Sequence, residues 1–224
     1  MSISKEIRKR LEEAGKRFHG NDNIAEYIKE GELQKLQDEV TEKFQEVLDT
    51  LVIDTANDHN TQETAKRVAK MWIREIFGGR YIPEPRVTSF PNMGYKSMYT
   101  SGPISIRSTC AHHFQNIVGN AWVGIIPNGE VIGLSKFNRI IHHIVERPQI
   151  QEEMTTQIAE ALQEYAHTKN IAVVVKAEHH CMTHRGVREH DSDMTTAIML
   201  GHFKEDPATR DEFYKICLSM KGHG

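Results

Sequence analysis

Cys110-Ala-His-His113, followed 68 residues after His113 by Cys181, is the feature that most constrains this chain. Thiols and imidazoles so far apart in sequence act together only if the fold closes a long loop to gather them. Zinc takes thiolate sulfur and imidazole nitrogen in a tetrahedral shell. Three protein ligands leave a position open for chemistry, and four close it for structure. Cys110, His113 and Cys181 would supply three. The remaining cysteine, Cys217, lies in an apolar helical stretch, and no second Cys-x-x-Cys completes a fourth. The count favours an open metal. Read alone, Cys-Ala-His-His is as readily a core thiol with surface imidazoles as a metal site.

Ile171 to Met182 reads IAVVVKAEHHCM, a β-branched run suited to a largely buried strand reaching Cys181. Residues two apart share a strand face, so His179 and Cys181 are expected on one side and His180 on the other. An imidazole beside a thiolate suits a metal-bound water with a proton carrier next to it.

The bulk properties exclude several classes. With 28 basic and 31 acidic side chains the formal net charge is −3, which gives no sign of a protein that coats nucleic acid. No apolar run is long enough to span a bilayer, and MSISKEIRKRLEEAG lacks the apolar core of a signal peptide. Three cysteines in such a chain fit a reducing compartment, so a cytoplasmic protein is expected.

Periodicity divides the 224 residues into a helical first third and a mixed remainder. Helices are expected over 3–18, 33–51 and 61–77. The second carries Leu33, Leu36, Val40, Phe44, Val47, Leu48 and Leu51 at helical spacing. The first is thinly apolar, which suits docking on another subunit or mobility. Beyond the Pro-rich connector at 82–85, strands are expected at 104–109 and 116–126, with a turn at Pro127-Asn-Gly129. Helices follow at 135–146, with Ser135 as N-cap, and at 151–166. Strands at 171–181 and 194–200 and a helix at 207–220 close the chain. Two strands, two helices and two strands make an α+β plan, a sheet with a helix pair on one face.

Three further groups suggest anion and base recognition. Ser135, Lys136 and Arg139 set a hydroxyl, an ammonium and a guanidinium at a helix start, where unpaired N–H groups favour anions. A capped, solvated helix start explains the same residues equally simply. Arg185 follows four residues after Cys181, placed for phosphate or for the tip of a solvated turn. Gln151-Glu152 opens a helix. A carboxylate there can accept from both N1–H and N2–H of guanine, and it also simply complements the helix dipole. Walker A and GxGxxG patterns are absent, as is the H-x-E with P-C-x-x-C of nucleobase deaminases.

Taken together, Ser108-Thr-Cys-Ala-His-His113, Gly133-Leu-Ser-Lys-Phe-Asn-Arg139, Arg147-Pro-Gln-Ile-Gln-Glu152, His179-His-Cys-Met182, Arg185-Gly-Val-Arg188 and Glu63 to Met71 resemble GTP cyclohydrolase I. The resemblance covers roughly 60–220. It implies a T-fold (tunnelling fold) with an antiparallel sheet, residues 61–224 forming the catalytic domain and residues 1–60 a helical extension for subunit packing. It implies a homodecamer with active sites at subunit interfaces, acting on GTP to give 7,8-dihydroneopterin triphosphate and formate. Cys110, His113 and Cys181 would hold Zn2+, and His112 and His179 would transfer protons. Glu152 with Gln151 would anchor guanine. Ser135, Lys136, Arg139 and Arg185, with Arg67 and Lys70 of a neighbouring subunit, would hold the triphosphate.

The chain departs from the family at Ala111, where a glutamate usually stands, and at Lys176, where many members are acidic. Loss of the carboxylate at 111 bears on metal affinity and rate. The alternatives are a related T-fold protein that opens the ring only, and a zinc-stabilised nucleotide-binding module.

Overall fold

The computed structural model describes residues 2–220, in two compact units of residues 1–83 and 84–224. In the first unit, helix α1 (Ile3–Glu13) buries Ile7 and Leu11, and α2 (Glu32–Thr50) buries Leu36 and Leu48. Helix α3 (Thr64–Met71) turns Ala65 and Ala69 inward and runs on through a wider π turn, Trp72–Ile76. A short α4 (Gly78–Tyr81) follows. Ile7, Leu11, Ile24, Leu36 and Ile73 form one core, and Phe44 meets Trp72 edge-on at 5.5 Å between ring centroids.

The thinly apolar first helix is therefore docked on its own chain. It stops at Glu13, short of the expected Phe18, because Gly15 takes the left-handed conformation (φ 59°). The Lys16 N–H then donates to Leu11 O at 2.9 Å and the Gly15 N–H to Glu12 O at 3.0 Å, so the last carbonyls are satisfied and the helix cannot continue. The unit boundary falls at Pro83, within the Pro-rich connector, so residues 61–83 pack with the N-terminal helices rather than with the sheet.

The second unit begins with β1 (Ser89–Pro91), β2 (Tyr99–Cys110), β3 (Asn116–Ile125) and β4 (Glu130–Ile132). Then come α5 (Leu134–Val145), β5 (Pro148–Gln149), α6 (Gln151–Ala166), β6 (Ile171–His179), α7 (His180–Thr183), β7 (Asp193–Met199), α8 (His202–Glu205) and α9 (Pro207–Ser219). The main sheet has the order β5-β2-β3-β6-β7, antiparallel except for the short β5, which lies parallel to β2. β1 and β4 pair separately.

Alternation along the strands sends side chains to two cores. Ala121, Val123, Ile171, Val173 and Val175 face α5 and α6, meeting Phe137, Ile141, Met154, Ile158 and Leu162. Their neighbours Trp122, Ala172 and Val174 face the other way, onto Phe203, Phe213 and Cys217 of α8 and α9. The helix pair α5–α6 sits on one face as expected, and the chain end covers part of the second. Cys217 is buried, and burial pushes its thiol up to about 11, a core role.

Two sequence expectations are corrected. The N-cap of α5 is Gly133, and Ser135 lies inside the helix without a capping bond. The β6 strand ends at His179, and His180 to Thr183 form a helical turn, so His179 and Cys181 do not share a strand face. The ladder runs out there: His179 is the last β6 residue paired with β3 and Glu178 the last paired with β7, so the backbone beyond has no neighbouring strand to hold it extended. Among the described residues no helix is long and apolar enough to cross a membrane.

Candidate active site at the end of the sheet

The register of the central strands brings distant residues to one end of the sheet. Ser108 of β2 pairs with Ile117 of β3, and Ile117 pairs with His179 of β6. The first residue of β3 is Asn116, so β3 starts just beyond this row. The end of β2 at Cys110 and the turn after His179 therefore overhang the start of the strand between them. Adjacent strands lie about 4.8 Å apart, so β2 and β6 are about 10 Å apart, a gap that two inward-leaning side chains bridge.

Cys110 and Cys181 meet across that gap. Cys110 is buried, and the half-buried Cys181 packs against the same core, close enough for the Cys110 sulfur to act on its thiol. Burial first, and then the neighbouring Cys110 sulfur, push the Cys181 thiol above its usual value, while Arg185 pulls it back. Two thiols this close, with Cys181 made harder to ionise, fit a site for a thiophilic dication, which would offset that repulsion.

The Cys110 end of the pair is tied down tightly. Its N–H donates to Gln115 O at 2.8 Å, and Phe114, at φ 52°, donates to Cys110 O at 2.9 Å. The Ala111 N–H donates to Gln149 O at 3.1 Å, which draws in β5. Gln149 is buried and its amide donates to Ile144 O at 2.7 Å. This clamp went unnoticed in the sequence, where the Arg147-Pro148 break after α5 was its available signal.

His112 and His113 stand on the exposed turn between β2 and β3. His112 Nδ1 lies 3.7 Å from Cys110 Sγ. His113 is not drawn in with the two sulfurs. Among the described residues, the group of metal-ligating atoms that converges within 4.8 Å is a different one, Glu178, His180 and His184.

His179 is held from behind. Its Nε2 lies 2.7 Å from Gln151 Oε1. The Gln151 amide nitrogen donates to Val175 O at 3.2 Å, Met194 O at 3.0 Å and Thr196 Oγ1 at 3.1 Å. Two of these partners are carbonyls, which only accept, so the amide cannot be flipped and its oxygen must face the histidine. That oxygen accepts, so Nε2 carries the proton and Nδ1 keeps the lone pair in the neutral ring. Burial lowers the His179 pKa, and the Glu152 carboxylate acts against that shift. Gln151, nominated for guanine, is fully buried with these protein partners.

Glu152 is exposed on the first turn of α6, next to Gln151. Ser135 and Arg139 are exposed on α5, and Lys136 between them donates from Nζ to Arg86 O at 3.3 Å. Arg185 is exposed just beyond α7, close enough to act on Cys181. Arg67 and Lys70 belong to α3 in the first unit, one helical turn apart and both exposed. Lys176, the reversed charge, pairs with Asp193 at 2.8 Å across the β6–β7 ladder.

The GTP cyclohydrolase I family profile matches residues 40–218. GTP cyclohydrolase 1 of Shewanella baltica (strain OS185) is 40% identical over 182 residues, covering 80% of this chain and 84% of that protein. GTP cyclohydrolase 1 of Aliivibrio fischeri (strain MJ11) is 41% identical over 182 residues, with 80% and 83% covered. The Vibrio vulnificus (strain YJ016) protein of that name is 40% identical over the same length and coverage. Since the match takes in both strand ends, the helix pair between them and the turn with Arg185, the chain belongs to the GTP cyclohydrolase I family.

Proposed function

We propose that this protein converts GTP and water to 7,8-dihydroneopterin triphosphate and formate, the first step of pterin and folate synthesis. The observation that carries the reading is the pair Cys110 and Cys181 at one end of the sheet, with a half-buried, tautomer-fixed His179 two residues from Cys181. Zinc suits the chemistry of these donors: Cys110 and Cys181, joined by His113 moving in from its exposed turn, would hold it, and when bound it would supply a Lewis acid that makes hydroxide available near neutral pH.

The chain's own residues divide the remaining work. Glu152 anchors guanine by accepting from N1–H and N2–H, which adenine does not offer. Lys136, Arg139 and Arg185, with the Ser135 hydroxyl, bind the triphosphate, joined by Arg67 and Lys70 of a neighbouring subunit. His179 exchanges its proton at Nδ1 while Gln151 holds Nε2–H. His112 is the second proton carrier, beside Cys110. One water adds at C8 and opens the imidazole ring as N7 takes a proton, and a second releases formate from the formamide. The freed amine then enters the Amadori rearrangement, and one water leaves as the new ring closes.

In this reading the second unit and its sheet form a T-fold, supported by the antiparallel ladder with α5 and α6 on one face. Residues 61–224 serve catalysis and residues 1–60 serve subunit packing in a homodecamer, with α3 contributing to catalysis through Arg67 and Lys70. The enzyme works in the cytoplasm. The test follows formate and pteridine absorbance together when zinc-loaded protein meets GTP. Equal rise of both supports the full reaction. Formate alone means an enzyme that opens the ring and stops, and neither signal overturns the proposal.

A further inference from the structure

Glu178, His180 and His184 gather at the corner where β6 gives way to α7. Glu178 precedes the last residue of β6, His180 opens α7, and His184 follows it one turn later at the helical i, i+4 spacing. The two rings lie 4.1 Å apart between centroids, tilted by 39°. Glu178 Oε1 is 3.7 Å from His180 Nε2 and 3.9 Å from His184 Nδ1. All three ligand atoms fall within 4.8 Å of one another.

These separations are close to what a metal demands. Bonds of about 2.0–2.2 Å in a tetrahedral shell put neighbouring donors roughly 3.3–3.6 Å apart. The carboxylate need only close in by a few tenths of an ångström. Thr183, buried beneath the cluster, donates from Oγ1 to Glu178 Oε1 at 2.7 Å, and with its one proton spent there it accepts at 2.9 Å from His184 Nδ1–H, a proton that an entering dication would displace. A hydroxyl that orients a ligating carboxylate is the usual outer support of such a site. Asp193, the strand neighbour of Glu178, is engaged with Lys176 and leaves the cluster a single carboxylate.

We propose that Glu178, His180 and His184 form a second cation site, separate from the cysteine pair, that takes a borderline transition-metal dication. Two imidazoles and one carboxylate select ions such as Zn2+, Ni2+ or Cu2+ over Mg2+ and Ca2+, which prefer oxygen. Three protein ligands leave a coordination position for water. His184 is well exposed and Glu178 partly so, and a dication enters without unfolding the corner. Its occupant ties the end of β6 to α7, the turn that carries Cys181.

Cobalt(II) separates the two sites, because thiolate ligands give an intense sulfur-to-cobalt charge-transfer band and nitrogen and oxygen ligands do not. The metal-stripped full chain is titrated with Co2+, reading absorbance and bound metal per chain, with excess Mg2+ as competitor. The wild-type chain should take up a second equivalent that adds no charge-transfer intensity and resists Mg2+. His184→Ala and Glu178→Gln should each lose that equivalent and keep the charge-transfer band. Cys181→Ser should do the reverse. Equal metal content in wild type and His184→Ala, or displacement of the second equivalent by Mg2+, overturns the proposal, whatever the cysteine site does.

Discussion

The carboxamide oxygen of Gln151 sits 2.7 Å from Nε2 of His179, and the same amide's nitrogen is held by Val175 O, Met194 O and Thr196 Oγ1. This relationship joins the first turn of α6 to the ends of β6 and β7. It assigns the histidine's proton and leaves Nδ1 as the nitrogen that works.

Replacing Gln151 with leucine keeps the volume and removes that assignment. We expect kcat to fall by about 10–100-fold, the usual cost of losing a group that orients a functional histidine. KM for GTP should change little if the side chain only positions His179. Steady-state kinetics checks this, and a rise in KM at constant kcat would show instead that Gln151 binds guanine. Leaving the half-buried Nε2–H without its acceptor should also cost about 1–3 kcal/mol of stability.

Cys181→Ser removes one of the two paired sulfurs. Zinc content and turnover should be lost together while the assembled size is unchanged. Elemental analysis, activity and light scattering on one preparation decide it, and full activity without Cys181 would reject its place in the metal centre.

Gly119 lies on β3 opposite Ala177. A Cβ there would stand 2.1 Å from Lys176 O and 2.5 Å from Ala177 Cα, and backbone atoms in a ladder cannot step aside. Gly119→Ala should therefore destabilise the protein by about 1–3 kcal/mol, read as a lower midpoint in urea. A midpoint equal to the wild type would mean that the β3–β6 contact is looser than this.

His143 is buried on α5, where burial, and then the nearby Arg147 cation, lower its pKa from 6.5 to about 4, with Glu84 opposing. The folded value lies below the unfolded one, so between the two the unfolded chain binds the extra proton. Stability is full above about 6.5 and drains as pH falls toward about 4. Thermal unfolding across that window should show the slope in wild type and a flatter one in His143→Leu. Parallel slopes would assign the acid sensitivity to other groups.

Much of the fold was legible because burial leaves local periodic traces. The helical stripe of α2 and the β-branched run of β6 each report which face is covered, and neither needs a distant partner to be read. The nominated site residues were legible as residue types in a fixed order. Other features were hidden by physics that local pattern does not carry. The end of α1 at Gly15 depends on one left-handed residue, and the end of β6 at His179 on where the paired strands stop.

The sequence by itself determined which donors exist: two thiols and several imidazoles in the order 110, 112, 113, 179, 181, and enough apolar periodicity to build helices and a sheet around them. Only the tertiary structure decided which of them meet. Strand register, a relation between residues far apart in the chain, set Cys110 against Cys181 and Gln151 against His179. The corner after β6 collected Glu178, His180 and His184 into a cluster that spacing alone had left as scattered polar residues. A hydrogen bond across 28 residues has no period to reveal it, because its geometry is fixed by the packing of everything between.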